Sequence, residues 1–169
     1  MIHKPQGTSV LQNYIDLVAK DDALVALEEN TLAMQTLLDP LTNDQWMSRY
    51  MPEKWSIKEL VVHLIDAERI FGYRILRLLR CDSTELPGYD ENWFASHCRA
   101  DERSASDILL EWKLVRALTQ LTLEHAHPLD LDFIGNANGK SVTAREIAFA
   151  VVGHTQHHLN IIHQRYLHH

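Results

Sequence analysis

His154 and His158 stand four residues apart in the run Gly153-His154-Thr155-Gln156-His157-His158-Leu159, inside a segment that reads as helix from Thr143 to about Tyr166. Residues four apart on a helix lie one above the other, so both imidazoles can approach a single ion from one face. Such a pair is half of a metal site. Zinc or nickel takes two or three imidazoles and keeps open positions for water or substrate, so a further ligand must come from elsewhere. The chain holds 11 histidines in 169 residues, a density at which about one such pair arises by chance. The setting of the pair therefore has to decide. His168 and His169 close the sequence and are left out of the site.

A third imidazole is offered by His63, in an apolar stripe of Leu60, Leu64, Ala67, Ile70, Phe71 and Leu78 on a helix predicted from Ile57 to Leu79. At about 100° per residue, Ala67, Ile70 and Arg74 fall within roughly 40° of His63, and Asp66 within about 60°. A lone histidine on such a face is more often a hydrogen-bonded core residue than a ligand. If the two helices are neighbours, His63, His154 and His158 can converge at one level, as in sites built between bundle helices.

Three neutral imidazoles would leave a divalent ion its full charge and open positions, lowering the pKa of a bound water or thiol. Asp66 could orient His63 or take a proton, and Arg74 could hold an anionic substrate group. The competing reading is an ion pair of Asp66 with Arg69 or Arg74, and Arg116, on the inner side of the third long helix, is a similar case. His157 reads as a supporting or interface residue, and His125, His127 and His163 as partly exposed.

The elements that must position these residues follow from periodicity and caps. Leu11, Tyr14, Ile15, Leu17 and Val18, then Leu24, Leu27, Leu32, Leu37 and Leu38, recur at helical intervals with a break or bend at Lys20-Asp21-Asp22. Thr42-x-x-Gln45, Ser56-x-x-Glu59 and Thr143-x-x-Glu146 are capping boxes, and Ser104-x-x-Asp107 opens the third long helix. That helix is expected to face inward with Ile108, Leu109, Trp112, Val115, Leu118 and Leu121. The last carries Ile147, Val151, His154, His158, Ile161 and Ile162 on one face.

Residues 81–103 are expected to be irregular, with a short helix from Asp90 to about His97. There Tyr89, Trp93 and Phe94 could wall a pocket or merely cover the core. Four long amphipathic segments without a convincing strand predict an all-α fold, an up-down four-helix bundle with short extra helices in the loops, spanning 1–169 as one domain.

Composition agrees. At 46% hydrophobic content the chain can bury one substantial core, and a net charge of -7 argues against a nucleic-acid partner. Two cysteines make no disulfide framework, Met1 to Val10 lacks a signal peptide's apolar core, and no apolar run is long enough to span a membrane. A cytoplasmic location is expected.

The run Trp55-Ser-Ile-Lys-Glu-Leu-Val-Val-His63-Leu-Ile-Asp66-Ala-Glu-Arg69-Ile-Phe-Gly-Tyr-Arg74, with Leu86-Pro-Gly-Tyr-Asp90, Val115-Arg116 and Gly153-His-Thr-Gln-His-His158-Leu, resembles the DinB-like superfamily of four-helix bundles. The likeness covers nearly the whole chain. It implies a divalent metal held by His63, His154 and His158, with no departure at these positions. The superfamily includes transferases and isomerases that use low-molecular-weight thiols, and many members described as metal-dependent hydrolases. A small-molecule substrate and a homodimer are implied in the same way; the thiol could be bacillithiol, mycothiol, glutathione or none.

Three readings remain open at this level. One is a metal-dependent enzyme activating water or a small thiol, with residues 81–103 closing the pocket. The second is a metal- or ligand-binding bundle without catalysis. The third is a structural, dimeric bundle with incidental histidines. The three-imidazole set suits zinc, nickel, iron or manganese.

Overall fold

The computed structural model describes residues 1–167; His168 and His169 lie outside the described residues. Four long helices form the body: α2 (Ala23–Leu38), α4 (Ile57–Leu78), α6 (Ala105–Glu124) and α7 (Ala144–Ile161). Shorter pieces are α1 (Gln12–Ile15), α3 (Asn43–Met47) and α5 (Glu91–His97), with a π-helical turn at Ile162–Tyr166 after α7. The four-helix bundle expected from periodicity is present, and each capping box is formed as read, on α3, α4 and α7.

The break near Asp22 is real. The Asp22 carboxylate accepts from the backbone N–H groups of Leu24 and Val25 and starts α2 afresh, so the stretch before it shrinks to the single turn of α1. The loop after α6 also holds a small hairpin, β1 (Gly135–Ala137) against β2 (Lys140–Val142), which the sequence reading did not include. Its turn is Asn138-Gly139, both with positive φ, the pair best suited to a two-residue hairpin.

In the ring of helices, α4 packs against α6 and α7, and α2 packs against the same two from the other side. Ser56 bonds Asp101 and Lys58 bonds the Arg103 carbonyl at one end, while Gly72 lies beside Thr119 further on. Helices α4 and α6 therefore run parallel, and the connection between them returns along the bundle. Helix α7 runs antiparallel to α4, with the Tyr166 hydroxyl donating to the Trp55 carbonyl at 2.7 Å.

Two apolar clusters fill the interior. One is built on Leu27, Ile75, Leu78 and Phe149, the other on Leu38, Leu64, Ile65 and Trp112. Between them lies a polar layer in which Arg116, 1% exposed, meets Glu68, Asn30 and Thr155. This layer corrects the expected inner face of α6. Leu118 and Leu121 are 66% and 51% exposed, and the buried positions are Ile108, Trp112, Arg116, Thr119 and Leu123. Helix α6 carries two apolar stripes, and the one containing the arginine turns inward because the interior supplies its counter-charge.

Candidate metal centre

Two capped helices bring the imidazoles together. Ser56 and Glu59 satisfy each other's backbone N–H groups at the start of α4, so His63 enters the bundle two turns later on a helix of defined origin. Thr143 and Glu146 do the same for α7, which carries His154 and His158 past it in the opposite direction. His63 Nε2 lies 3.1 Å from His154 Nε2, and His158 Nε2 lies 3.2 Å from the same atom. One ligand atom from each of the three lies within 4.8 Å of the others, and all three side chains are buried.

A single Nε2 carries either one hydrogen or one lone pair. His154 Nε2 can thus satisfy one of its two neighbours by hydrogen bonding but not both. Protonation offers no escape, because burial lowers the pKa of His63 to about 4, of His154 to about 3 and of His158 to about 2. Neutral imidazoles with lone pairs aimed at one point are the donor set a divalent cation accepts. His158 Nδ1 is buried without a partner among the described residues, and its Nε2 is the ring nitrogen that faces His154.

Aromatic rings hold the cluster. Trp55 lies 4.9 Å from the His63 ring, Phe71 meets His154 edge-on at 6.0 Å, and Tyr14 meets it edge-on at 5.2 Å. A cavity of about 280 Å³ reaches His158 between Tyr50, Trp55, Asn92 and Tyr166. A larger groove, about 700 Å³, runs between the N-terminal residues and Arg145, but it shares no residue with the cluster, and the Arg145 guanidinium is taken up by Asp132. Chemistry, not size, therefore selects the smaller cavity.

Residues 26–162 match the model of the DinB superfamily. The chain belongs to the DinB superfamily. This DinB protein is also 25% identical over 140 residues to OB0413 of Oceanobacillus iheyensis, covering 80% of this chain and 79% of the other. The name of that relative assigns it provisionally to the metal-dependent hydrolases. Among solved structures, YfiT from Bacillus subtilis superposes with a TM-score of 0.75 at 19% identity, over 96% of this chain and 90% of its own. At that identity the likeness carries the fold, and YfiT is described, with the same reserve, as a metal-dependent hydrolase of unusual four-helix bundle topology.

Of the other residues expected at a site, the DinB chain places some near the imidazoles and turns others away. Arg116 is corrected. All five of its N–H groups are engaged, by Glu68, Asn30, Thr31 and Thr155, so none is free for a substrate. Trp93 is corrected as well: it is 63% exposed and lies against His97 at 4.1 Å instead of lining the cavity at His158. Asp66 makes no hydrogen bond to His63 and no ion pair among the described residues, since Arg69 is paired with Glu111 and Arg74 bonds the Pro87 carbonyl. Burial raises its pKa. Tyr89 is half-buried, its hydroxyl pushed up to about 12 by burial and then by the charge of Glu91.

Tyr14, Trp55, Glu91 and Asn92 surround the DinB site without having been singled out as parts of it. The charge of Glu91 opposes the burial effect at His63, and burial and then the charge of Glu91 raise the pKa of Tyr14. Trp55, directly before a capping box, carried a readable signal; Tyr14 and Glu91 came from distant segments and carried none.

Proposed function

We propose that this protein is a metal-dependent enzyme of hydrolase type, acting on a small molecule at a divalent ion held by His63, His154 and His158. The observation that carries the reading is the convergence of three neutral Nε2 atoms, one of which cannot satisfy both neighbours by hydrogen bonding. Bound there, zinc or nickel would act as a Lewis acid and make an incoming water or low-molecular-weight thiol nucleophilic near neutral pH.

The chain's own residues do the rest. Burial keeps the three rings unprotonated and ready to donate. Trp55, Phe71 and Tyr14 fix the ring planes and keep bulk water from the cluster. Glu91 supplies negative charge nearby, and Asp66, with its pKa raised, is a candidate to take up a proton. The hydrolase names of the relatives support water as the first nucleophile to test, with a thiol second.

The test is elemental analysis of untagged protein beside His63→Ala and a His154→Ala/His158→Ala double variant, followed by ester, amide and thiol-transfer screens of the loaded protein. About one metal per chain in wild type, lost in both variants with helicity retained, is the expected result. Wild type that takes up no metal on reloading, or variants that keep theirs, would overturn the site. A loaded protein inactive in every screen would leave metal binding without catalysis.

A further inference from the structure

A second charged group in the bundle is unaccounted for by the metal centre. Arg74 sits on α4 three turns beyond His63, roughly 16 Å along the helix axis, and is 8% exposed. Its Nη2 donates to the Pro87 carbonyl at 2.8 Å, while its Nε is buried without a partner among the described residues. Arg116, the other interior arginine named above, has Glu68 against it; Arg74 has no carboxylate partner among the described residues. A guanidinium withdrawn from water with a neutral carbonyl as its recorded acceptor is an arrangement that a protein keeps at a cost.

Arg74 lines a cavity of about 120 Å³ whose other polar lining is Asn138 and Lys140, and whose apolar lining includes Leu11, Phe71 and Ile147. The polar residues are delivered by the hairpin. Leu86 bonds the backbone of Asn136 and Asn138, which sets the strand Leu86-Pro87 beside β1 and brings the turn at Asn138 to α4. Phe71 belongs to both places: it lines this cavity, and its ring meets His154. The cavity and the histidines therefore share a wall.

We propose that Arg74, with Lys140 and Asn138, forms a subsite for the carboxylate of a short aliphatic acid. The subsite stands on Arg74 and its cavity and goes beyond the function proposed above. A planar guanidinium can present its two Nη groups to both oxygens of a carboxylate, and Lys140 adds a second positive charge at the rim. The volume admits a carboxylate on a short apolar stem and is small beside the roughly 300–1,000 Å³ of pockets for drug-sized ligands. The ligand class is thus a short aliphatic carboxylic acid or its close relative.

The test uses chelator-treated full-length protein, so that it does not depend on metal. Glutarate is titrated while the Arg74 Nε–H resonance is followed by 15N NMR and the affinity by calorimetry, with inorganic phosphate in a parallel arm. Expected are a saturable shift of that resonance, affinity lost by about tenfold or more in Arg74→Gln and several-fold in Lys140→Gln, and no change in His63→Ala. An unmoved Arg74 resonance, or affinity unchanged in Lys140→Gln and Arg74→Gln, would overturn the subsite. If Arg74→Gln does not fold, the wild-type resonance and Lys140→Gln decide. Tighter binding of phosphate than of glutarate at the same resonance would overturn the carboxylate assignment. Glutarate binding in a protein that takes up no metal would sustain the subsite while removing the proposed reaction.

Discussion

The carbonyl oxygen of Tyr14 occupies the place where a side chain on Gly153 would begin: a Cβ built there would lie 2.0 Å from it. Helix α1 is thereby pressed onto α7 one residue before His154, and the Tyr14 ring comes to rest edge-on to that imidazole. Gly153→Ala separates two effects of opposite sign. In a helix with nothing beside it, alanine is favoured over glycine by about 1 kcal/mol. Here the clash with backbone dominates, and urea denaturation should show a loss of about 1–3 kcal/mol. The variant should also show increased solvent exposure of Tyr14. Stabilisation by the substitution would mean that α1 does not pack as described.

The Arg116–Glu68 pair is expected to behave as a buried unit. Arg116→Met leaves a carboxylate stranded in the interior, and Glu68→Gln weakens the acceptor of three of the arginine's hydrogen bonds. The first should cost about 3–5 kcal/mol, and Arg116→Met/Glu68→Leu should recover much of it because no charge is left unpaired. A double-mutant cycle by chemical denaturation measures this. Strict additivity would show that the two side chains do not depend on each other.

The metal-free protein should lose stability as pH falls. In the folded chain His63, His154 and His158 are held below their ordinary value near 6.5, at about 4, 3 and 2. Between about pH 6.5 and pH 4 the unfolded chain therefore binds protons that the folded chain refuses, and stability falls by up to about 1.4 kcal/mol per pH unit for each histidine. Above pH 6.5 both states are neutral at these rings and their contribution is flat. Urea midpoints of chelator-treated protein from pH 7.5 to 4.5 test the slope, which should be shallower in the His154→Ala/His158→Ala variant.

Metal should move this profile. A divalent ion that binds the folded chain alone raises its stability by RT ln(1 + [metal]/Kd), about 2.7 kcal/mol at a hundredfold excess over Kd. Thermal unfolding with and without added zinc or nickel should show a rise in wild type and none in His63→Ala. An equal rise in both would place the bound metal elsewhere, for instance on exposed histidines such as His3 or His127.

Much of this architecture was readable one element at a time. The three capping boxes, the restart at Asp22 and the His154/His158 pair depend on residues three or four apart, and a helix brings such residues together whatever surrounds it. The Asn138-Gly139 hairpin was equally local, but the two three-residue strands around it are too short to raise a periodic signal.

Assignments that depend on contacts between helices were not readable in the same way. Periodicity puts Leu118 and Leu121 on the inner side of α6 along with Arg116, yet of the three only Arg116 is buried, with Glu68, Asn30 and Thr155 around it. Asp66 lies about 60° from His63 on one helix and still does not bond it.

The sequence by itself determined four amphipathic helices, where they start, and a pair of histidines able to share one ion, because each of these is settled within a turn or two of one helix. Only the tertiary structure decided that α4 passes antiparallel to α7 so that His63 meets that pair, and that Tyr14 closes over it through Gly153. Those relations depend on which helices become neighbours, and that is set by the packing of whole apolar and polar surfaces, not by the spacing of residues along any one of them.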